Sequence, residues 1–308
     1  YKVFTLQVLT VINGLLFTFL AARLLEPELF GHLRYLLIIL PFFMLATLPT
    51  FDNLILRESV SRSLLDLNQI LIVRGMLGLF FSLCMGITLL FLNDFFSPEV
   101  LKGIYVILLF LPLYEISTGY KNYLIGIGLK QRVLKIQIRN KIISIIIMLT
   151  SILFFFKNNL SINVFLIIFL IATTLPNLIT HLGLALRKKF RKNKKNKSLI
   201  PEALLTTIAS GIWILSYSID RLIVERQLGS ESLAYYSILV LIPLMASQLI
   251  DGLIPFWYKK IFFEKKIKSF FKYAGLIILL ISLFIFIYGV FVNNFYHLIF
   301  GSFYKYSL

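Results

Sequence analysis

The residues that could do chemistry in this chain are the polar groups caught inside long apolar runs. An ionisable side chain there is costly to keep and marks a functional position. Glu115 lies in the apolar run 101–120 with no basic residue three or four positions away. It is expected to face a bundle interior, lining a cavity or making a structural hydrogen bond. Gln7 and Asn13 are the polar groups of the first run. Six residues apart, they share broadly one helix face and could bond sugar hydroxyls or join their helix to a neighbour. Asp52 and Asp251 close the second and eighth runs, either as a gate pairing with Arg57 or another cation, or as ordinary interfacial residues. Asp220 and Arg221 end the seventh run and could form a latch. Adjacent helical residues point about 100° apart, so these two are not expected to pair with each other.

Cations at the run edges are Arg34, Arg57, Arg74 and Arg139. A guanidinium fork suits a phosphate, and Arg57 is the first candidate, with a topology anchor as its other reading. His32, His181 and His297 share no metal-ligand spacing. Cys84 is the single cysteine, so no disulfide framework can form. There is no G-x-x-x-x-G-K-[ST] phosphate loop, hence no ATP motor in the chain. No cofactor is implied.

The elements that must position these groups follow from composition. Of 308 residues, 59% are hydrophobic and only 15% charged, against about 45–50% and about 25% in soluble domains. A chain of this size has no interior large enough for that apolar excess, which points to a bilayer as solvent. Nine runs reach the ~20 residues needed to span, at 3–22, 34–56, 70–92, 101–120, 138–156, 161–184, 203–223, 233–253 and 273–296. They are too long and uniform for barrel strands. The expected class is an all-α polytopic membrane protein.

The formal charge of +17 is explained by topology rather than by nucleic acid. Alternate connections, namely Lys2 and the loops near 57–74, 121–141, 185–202 and 257–272, hold 24 of the 31 basic residues, and the other connections hold 7. Basic loops stay cytoplasmic, so the amino terminus is expected inside. The run Arg187 to Lys197 is read as an anchor that also docks on anionic membrane lipids. The outside connections carry Glu26, Glu28, Asp94, Glu99, Glu225 and Glu231 only as scattered acids. With no loop much beyond 20 residues, the chain is not expected to be an enzyme.

Two stretches repeat. Leu25-Glu26-Pro27-Glu28-Leu29-Phe30-Gly31 precedes the second run, and Leu228-Gly229-Ser230-Glu231-Ser232-Leu233-Ala234 precedes the eighth. Pro41 and Pro243 follow, then Asp52-Asn53-Leu54-Ile55 and Asp251-Gly252-Leu253-Ile254. Six helices between copies give a parallel repeat about the membrane normal, with a binding site between the halves. The domains expected are a six-helix bundle at 1–185, a basic cytoplasmic linker at 186–202, and the first three helices of a second bundle at 203–308. On this reading the chain has lost its first residues and three or more carboxyl-terminal helices.

The stretch Ala22-Arg23-Leu24-Leu25-Glu26-Pro27-Glu28-Leu29-Phe30-Gly31 resembles the opening of the polysaccharide transporter, or O-antigen flippase, family, with Glu26 where that family usually has Gly. The family shares a superfamily with multidrug exporters and lipid II flippases. Gly126-Ile127-Gly128-Leu129-Lys130 resembles the family's turn after helix 4. Asp220-Arg221-Leu222-Ile223 with Leu228-Gly229 and Tyr235-Tyr236 resembles its second-half hairpin, and Phe300-Gly301 with Tyr304 the stretch after helix 9. The resemblance implies a two-lobed bacterial inner-membrane transporter. It would flip a polyprenyl-pyrophosphate-linked oligosaccharide outward by alternating access and work beside polysaccharide polymerase machinery. In that setting Arg57, Glu115, Gln7, Asn13 and Arg34 would meet substrate, and Asp52, Asp251, Asp220 and Arg221 would gate. A cation-coupled exporter of small amphipathic molecules is the alternative; the first run carries no carboxylate, which weighs against it. A membrane glycosyltransferase or ligase ranks third.

Overall fold

The computed structural model describes residues 2–45, 47, 67–91, 95–118, 120–155, 161–187, 200–241 and 243–245, with Ser282, Phe286 and Gly289. Of these, 95% are helical, and no strand occurs among the described residues. The elements are α1 (Lys2–Leu24), α2 (Pro27–Leu45), α3 (Leu67–Phe91), α4 (Pro98–Thr118), α5 (Tyr120–Gly126), α6 (Lys130–Phe155), α7 (Ile162–Arg187) and α8 (Ile200–Leu239). Five of these helices are long and apolar enough to cross a membrane.

The helices outrun the apolar runs. α2 starts at Pro27 rather than near 34, with Pro in the first turn and Glu28 beside it, both favourable at a helix start. The stretch 121–141, expected as a loop, is helical except for a turn at 127–129. Hydropathy marks where a segment is apolar; backbone hydrogen bonding continues the helix through Lys130 to Arg139 regardless. The runs 203–223 and 233–253 are joined, as far as they are described, in the kinked element α8.

That kink is a reversal. Gly229 has φ 83°, ψ 175°, a conformation that a residue with a Cβ rarely adopts. Tyr236 nevertheless donates to Asp220 Oδ2 at 2.6 Å. Sixteen residues of straight helix would hold these groups about 24 Å apart. The chain therefore folds back at Gly229 as a helical hairpin.

α2 occupies the middle of the packing. It lies against α8 along most of its length and also meets α4; α4 packs on α3 and α7, α7 on α6, and α6 on α1. Phe30, Leu33, Leu36, Ile107, Phe165, Leu166 and Ala234 are wholly or almost wholly buried at this centre. Gly31 sits under the main chain of Ser230, whose carbonyl a Cβ would strike. Small residues of this kind let membrane helices approach backbone to backbone. The outward faces are apolar, as on α3, where Ile72, Met76, Leu79, Phe80, Leu83 and Ile87 form an exposed stripe.

One backbone carbonyl freed by proline finds a substitute donor. Pro112 cannot donate to the carbonyl of Leu108 one turn earlier. Ser82 of α3 does so instead, at 2.7 Å. Orphaned carbonyls are expensive in hydrocarbon, where no water replaces the donor. Ser82→Ala is therefore expected to lower stability by roughly 1 kcal/mol. In a Pro112→Ala background, where residue 112 can donate to Leu108 again, the same change should cost close to nothing. Reversible unfolding in mixed micelles, run as a double-mutant cycle, measures both; equal losses in the two backgrounds would contradict the assignment.

Candidate functional site

Three helices carry polar stripes at helical spacing. On α6 they are Gln137, Asn140, Lys141 and Ser144, at i, i+3, i+4 and i+7; on α7, Thr173, Asn177 and Thr180; on α1, Gln7, Thr10 and Asn13. Residues so spaced share one helix face, and a polar face surrounded by lipid must turn inward. The stripes enclose a cavity of about 300 Å³. Gln7, Thr10, Gln137, Asn140, Lys141, Ser144, Thr173 and Asn177 line it, with Tyr114 from the end of α4, Lys121 from α5, and Leu6 and Ala172 as its apolar wall. Pro176 lies four residues after Ala172 inside α7, so the Ala172 carbonyl lacks its usual helical donor.

One wall is a fixed network. Arg139 donates through Nη2 to Thr180 Oγ1 at 2.9 Å and to Asn140 Oδ1 at 3.3 Å. The Asn140 amide nitrogen faces Tyr120 Oη at 3.2 Å, Asn177 Oδ1 at 3.1 Å and Thr180 Oγ1 at 3.1 Å. Tyr120 donates to Asn177 Oδ1 at 3.1 Å, Thr180 to the Pro176 carbonyl at 2.8 Å, and Asn177 to the Thr173 carbonyl at 2.8 Å. The amide of Asn140 is thus wholly committed and acts as wall. Gln7, Gln137 and Lys141 differ: among the described residues they have no hydrogen-bonding partner, so their polar atoms are available to a ligand. Three cations, Lys121, Arg139 and Lys141, line or back the cavity, and none of the lining residues described is a carboxylate.

The sequence candidates separate. Gln7 lines the cavity. Asn13 is buried and donates to Ser144 Oγ at 3.3 Å, so it ties α1 to α6 just behind the lining. Arg34 on α2 and Asp220 and Arg221 on α8 lie elsewhere, where α2 meets the α8 hairpin. The expectation that Asp220 and Arg221 do not pair is corrected: Arg221 Nε stands 3.8 Å from Asp220 Oδ1. The long arginine stem bends back over the turn, and its Nη2 donates to the Tyr217 carbonyl at 2.7 Å. Asp220 accepts from Tyr236 across the hairpin at 2.6 Å. Glu115 is on α4, its side chain outside the described residues. Arg57, Asp52 and Asp251 also lie outside them.

No family model, curated protein or solved structure matches this chain. Sequence reasoning missed Lys121, Gln137, Lys141, Ser144 and Asn177. The signal was present as the i, i+3, i+4, i+7 polar stripe on 137–144, but the cations of 121–141 had been assigned to a loop.

Because Asn140 satisfies Tyr120, Asn177 and Arg139 at once, Asn140→Leu is expected to cost roughly 1–3 kcal/mol. Gln137→Leu, which breaks no internal bond, should stay within about 0.5 kcal/mol. Chemical unfolding of the two purified variants measures the contrast, and equal losses would show that the network does not fix this wall.

Proposed function

We propose that the chain is part of a secondary transporter that flips a polyprenyl-pyrophosphate-linked oligosaccharide from the cytoplasmic to the outer leaflet of a bacterial inner membrane by alternating access. The observation that carries this reading is the cavity: amides and hydroxyls suited to sugar, with cationic groups suited to phosphate, and no carboxylate in the described lining. A cation exporter would want the opposite sign.

In this reading Lys121 and Lys141 hold the pyrophosphate, while Gln7, Gln137 and Ser144 bond the sugar next to it. Arg139 adds positive potential from behind the wall. The cavity is lined from the first half of α1 and α6, the middle of α7 and the last turns of α4, and the basic-loop asymmetry assigns the start of α1 and α6 to the cytoplasm. The polyprenyl tail stays in lipid. Moving a pyrophosphate with about two negative charges outward across 100 mV would release about 4–5 kcal/mol, so the membrane potential can drive the step. The parallel repeat gains support from α2 and α8. The two repeated stretches touch, Gly31 of one lying on Ser230 of the other, as expected beside a pseudo-twofold axis.

The test uses full-length protein in liposomes holding a fluorescent polyprenyl-pyrophosphate sugar, with sugar exposed on the opposite leaflet as readout. Losing two charge-assisted bonds is worth roughly 1.5–3 kcal/mol each, so Lys121→Gln/Lys141→Gln should slow translocation at least ~10-fold. Arg57→Ala, run alongside, decides whether that residue adds a phosphate contact. Translocation untouched by the double change would remove the cavity from the mechanism. Failure of folded wild-type protein to translocate, with export of amphipathic cations, would replace the reading altogether.

A further inference from the structure

One hydroxyl on the cavity wall is held differently from its neighbours. A serine or threonine inside a helix ordinarily donates to the carbonyl one turn earlier. Both lining threonines do so, Thr10 to Leu6 at 2.9 Å and Thr173 to Phe169 at 2.8 Å. Ser144 lines the same cavity, yet it donates to no acceptor among the described residues. It only accepts, from the Asn13 amide at 3.3 Å. A hydroxyl has one proton to give, and with Asn13 engaging the oxygen, that of Ser144 is left for the cavity. Asn13 holds this geometry at a cost, because its own Oδ1 is buried and unbonded. Ser144 and Asn13 are both more than nine-tenths buried. Two apolar side chains would join α1 to α6 without leaving that orphan, so the pair suits a ligand better than it suits cohesion.

An acceptor stands at the same level. Arg139 meets Thr180 and Asn140 meets Asn177, as antiparallel helices place them. Ser144 is one turn further along α6 than Asn140. One turn back along α7 from Asn177 is Thr173, next to Ala172. Pro176 withholds the usual helical donor from the Ala172 carbonyl, and no described side chain replaces it in the way Ser82 does for Leu108. One turn beyond Asn13 and Thr173, the rings of Phe17 and Phe169 stand 4.8 Å apart, and the polar section ends. Lys141 lies three residues before Ser144, toward the start of α6. The inner end of the cavity therefore offers a neutral donor and a neutral acceptor, and the cations lie behind them.

We infer that Ser144 and the Ala172 carbonyl form a subsite for one hydroxyl of a sugar ring, with Asn13 as the positioning residue that turns the Ser144 proton toward it. A hydroxyl accepts and donates through one atom, so it satisfies both sides at once. A phosphate oxygen would accept from Ser144 but has no proton for the carbonyl. The inference rests on the sugar-bearing cargo of the transport reading and adds an orientation to it. The ring enters first, and the pyrophosphate stays with Lys121 and Lys141. It also adds a rule of selection, since a site built to bond a hydroxyl rejects the analogue that lacks it.

The experiment uses full-length protein in mixed micelles with polyprenyl-pyrophosphate glucose, or the same lipid with one ring hydroxyl at a time replaced by hydrogen. Binding is read by competition against the fluorescent lipid, and flipping by the liposome assay. One deoxy lipid is expected to bind at least ~10-fold more weakly than the parent, because it leaves two buried groups unpaired. Ser144→Ala should bind the parent and that deoxy lipid alike. Asn13→Leu/Ser144→Ala leaves no orphaned amide, so it guards against a folding defect and should show the same loss of preference. Asn13→Leu alone should weaken the preference although Ser144 is kept, and Ser144→Thr should restore part of it. A purely structural role would lower the affinity for every lipid by one factor and leave the preference intact, which would overturn the inference. Equal binding of all the deoxy lipids by wild-type protein, or no binding of any, would overturn it too. Preference in binding without flipping by folded protein would keep the subsite and remove the transport reading; flipping without preference would do the reverse.

Discussion

Hydrocarbon supplies no hydrogen bonds, and most of this structure is a response to that constraint. The helices form because each closes its own backbone bonds. Threonine and serine hydroxyls without a neighbour fold back on the carbonyl one turn earlier, as Thr88 does to Cys84 at 2.9 Å and Ser216 to Ile212 at 2.7 Å. Where Pro112 breaks the backbone ladder, a side chain from the next helix completes it: Ser82 donates to the Leu108 carbonyl. The same constraint drives the polar faces of α1, α6 and α7 together. Once together they leave a gap, because two lysines and long amides cannot interdigitate as leucines do. The cavity is what remains when polar stripes are turned from lipid but do not fill the space between them.

Within that frame the bundle hinges on close approach. The contact of α2 with α8 rests on Gly31, where any side chain would meet the Ser230 carbonyl, and on the reversal at Gly229 that brings Ser230 there. Phe17 stacks near Phe169, centroids 4.8 Å apart, and joins α1 to α7 in the apolar half. The polar network from Tyr120 to Thr180 joins α5, α6 and α7 in the other half. α7 is therefore held to α1 through rings at one level and to α5 and α6 through hydrogen bonds at another, which fixes rotation as well as separation.

Much of this was legible in the sequence. Every described helix overlaps a run that composition alone marks as a span, and the repeat singled out the two stretches that turn out to touch. The errors share one physical cause: hydropathy reports the solvent a residue prefers, not whether its backbone is helical. Lys130, Lys135 and Arg139 read as loop because they are charged, yet they continue α6, and the stripe ending at Ser144 was cut in half by that boundary. Asp220 and Arg221 were judged by helix geometry at their Cα atoms, whereas the length of an arginine stem lets its guanidinium return to a neighbour. Asn13 illustrates a different limit. Its amide was legible as polar and inward, but whether it met a ligand or Ser144 depended on how far apart two helices stand, and a single sequence does not carry distances.

The cations of the 121–141 stretch bear on how charge is used at both levels. A basic residue near the end of a span orients the chain during insertion, and nothing in that role says which way its side chain turns within the folded bundle. Lys121 and Lys141 lie on the cavity, and Arg139 is held behind it by Thr180 and Asn140. Topological anchoring and ligand attraction thus do not compete: the first acts on loop charge before folding, the second on side-chain position afterwards.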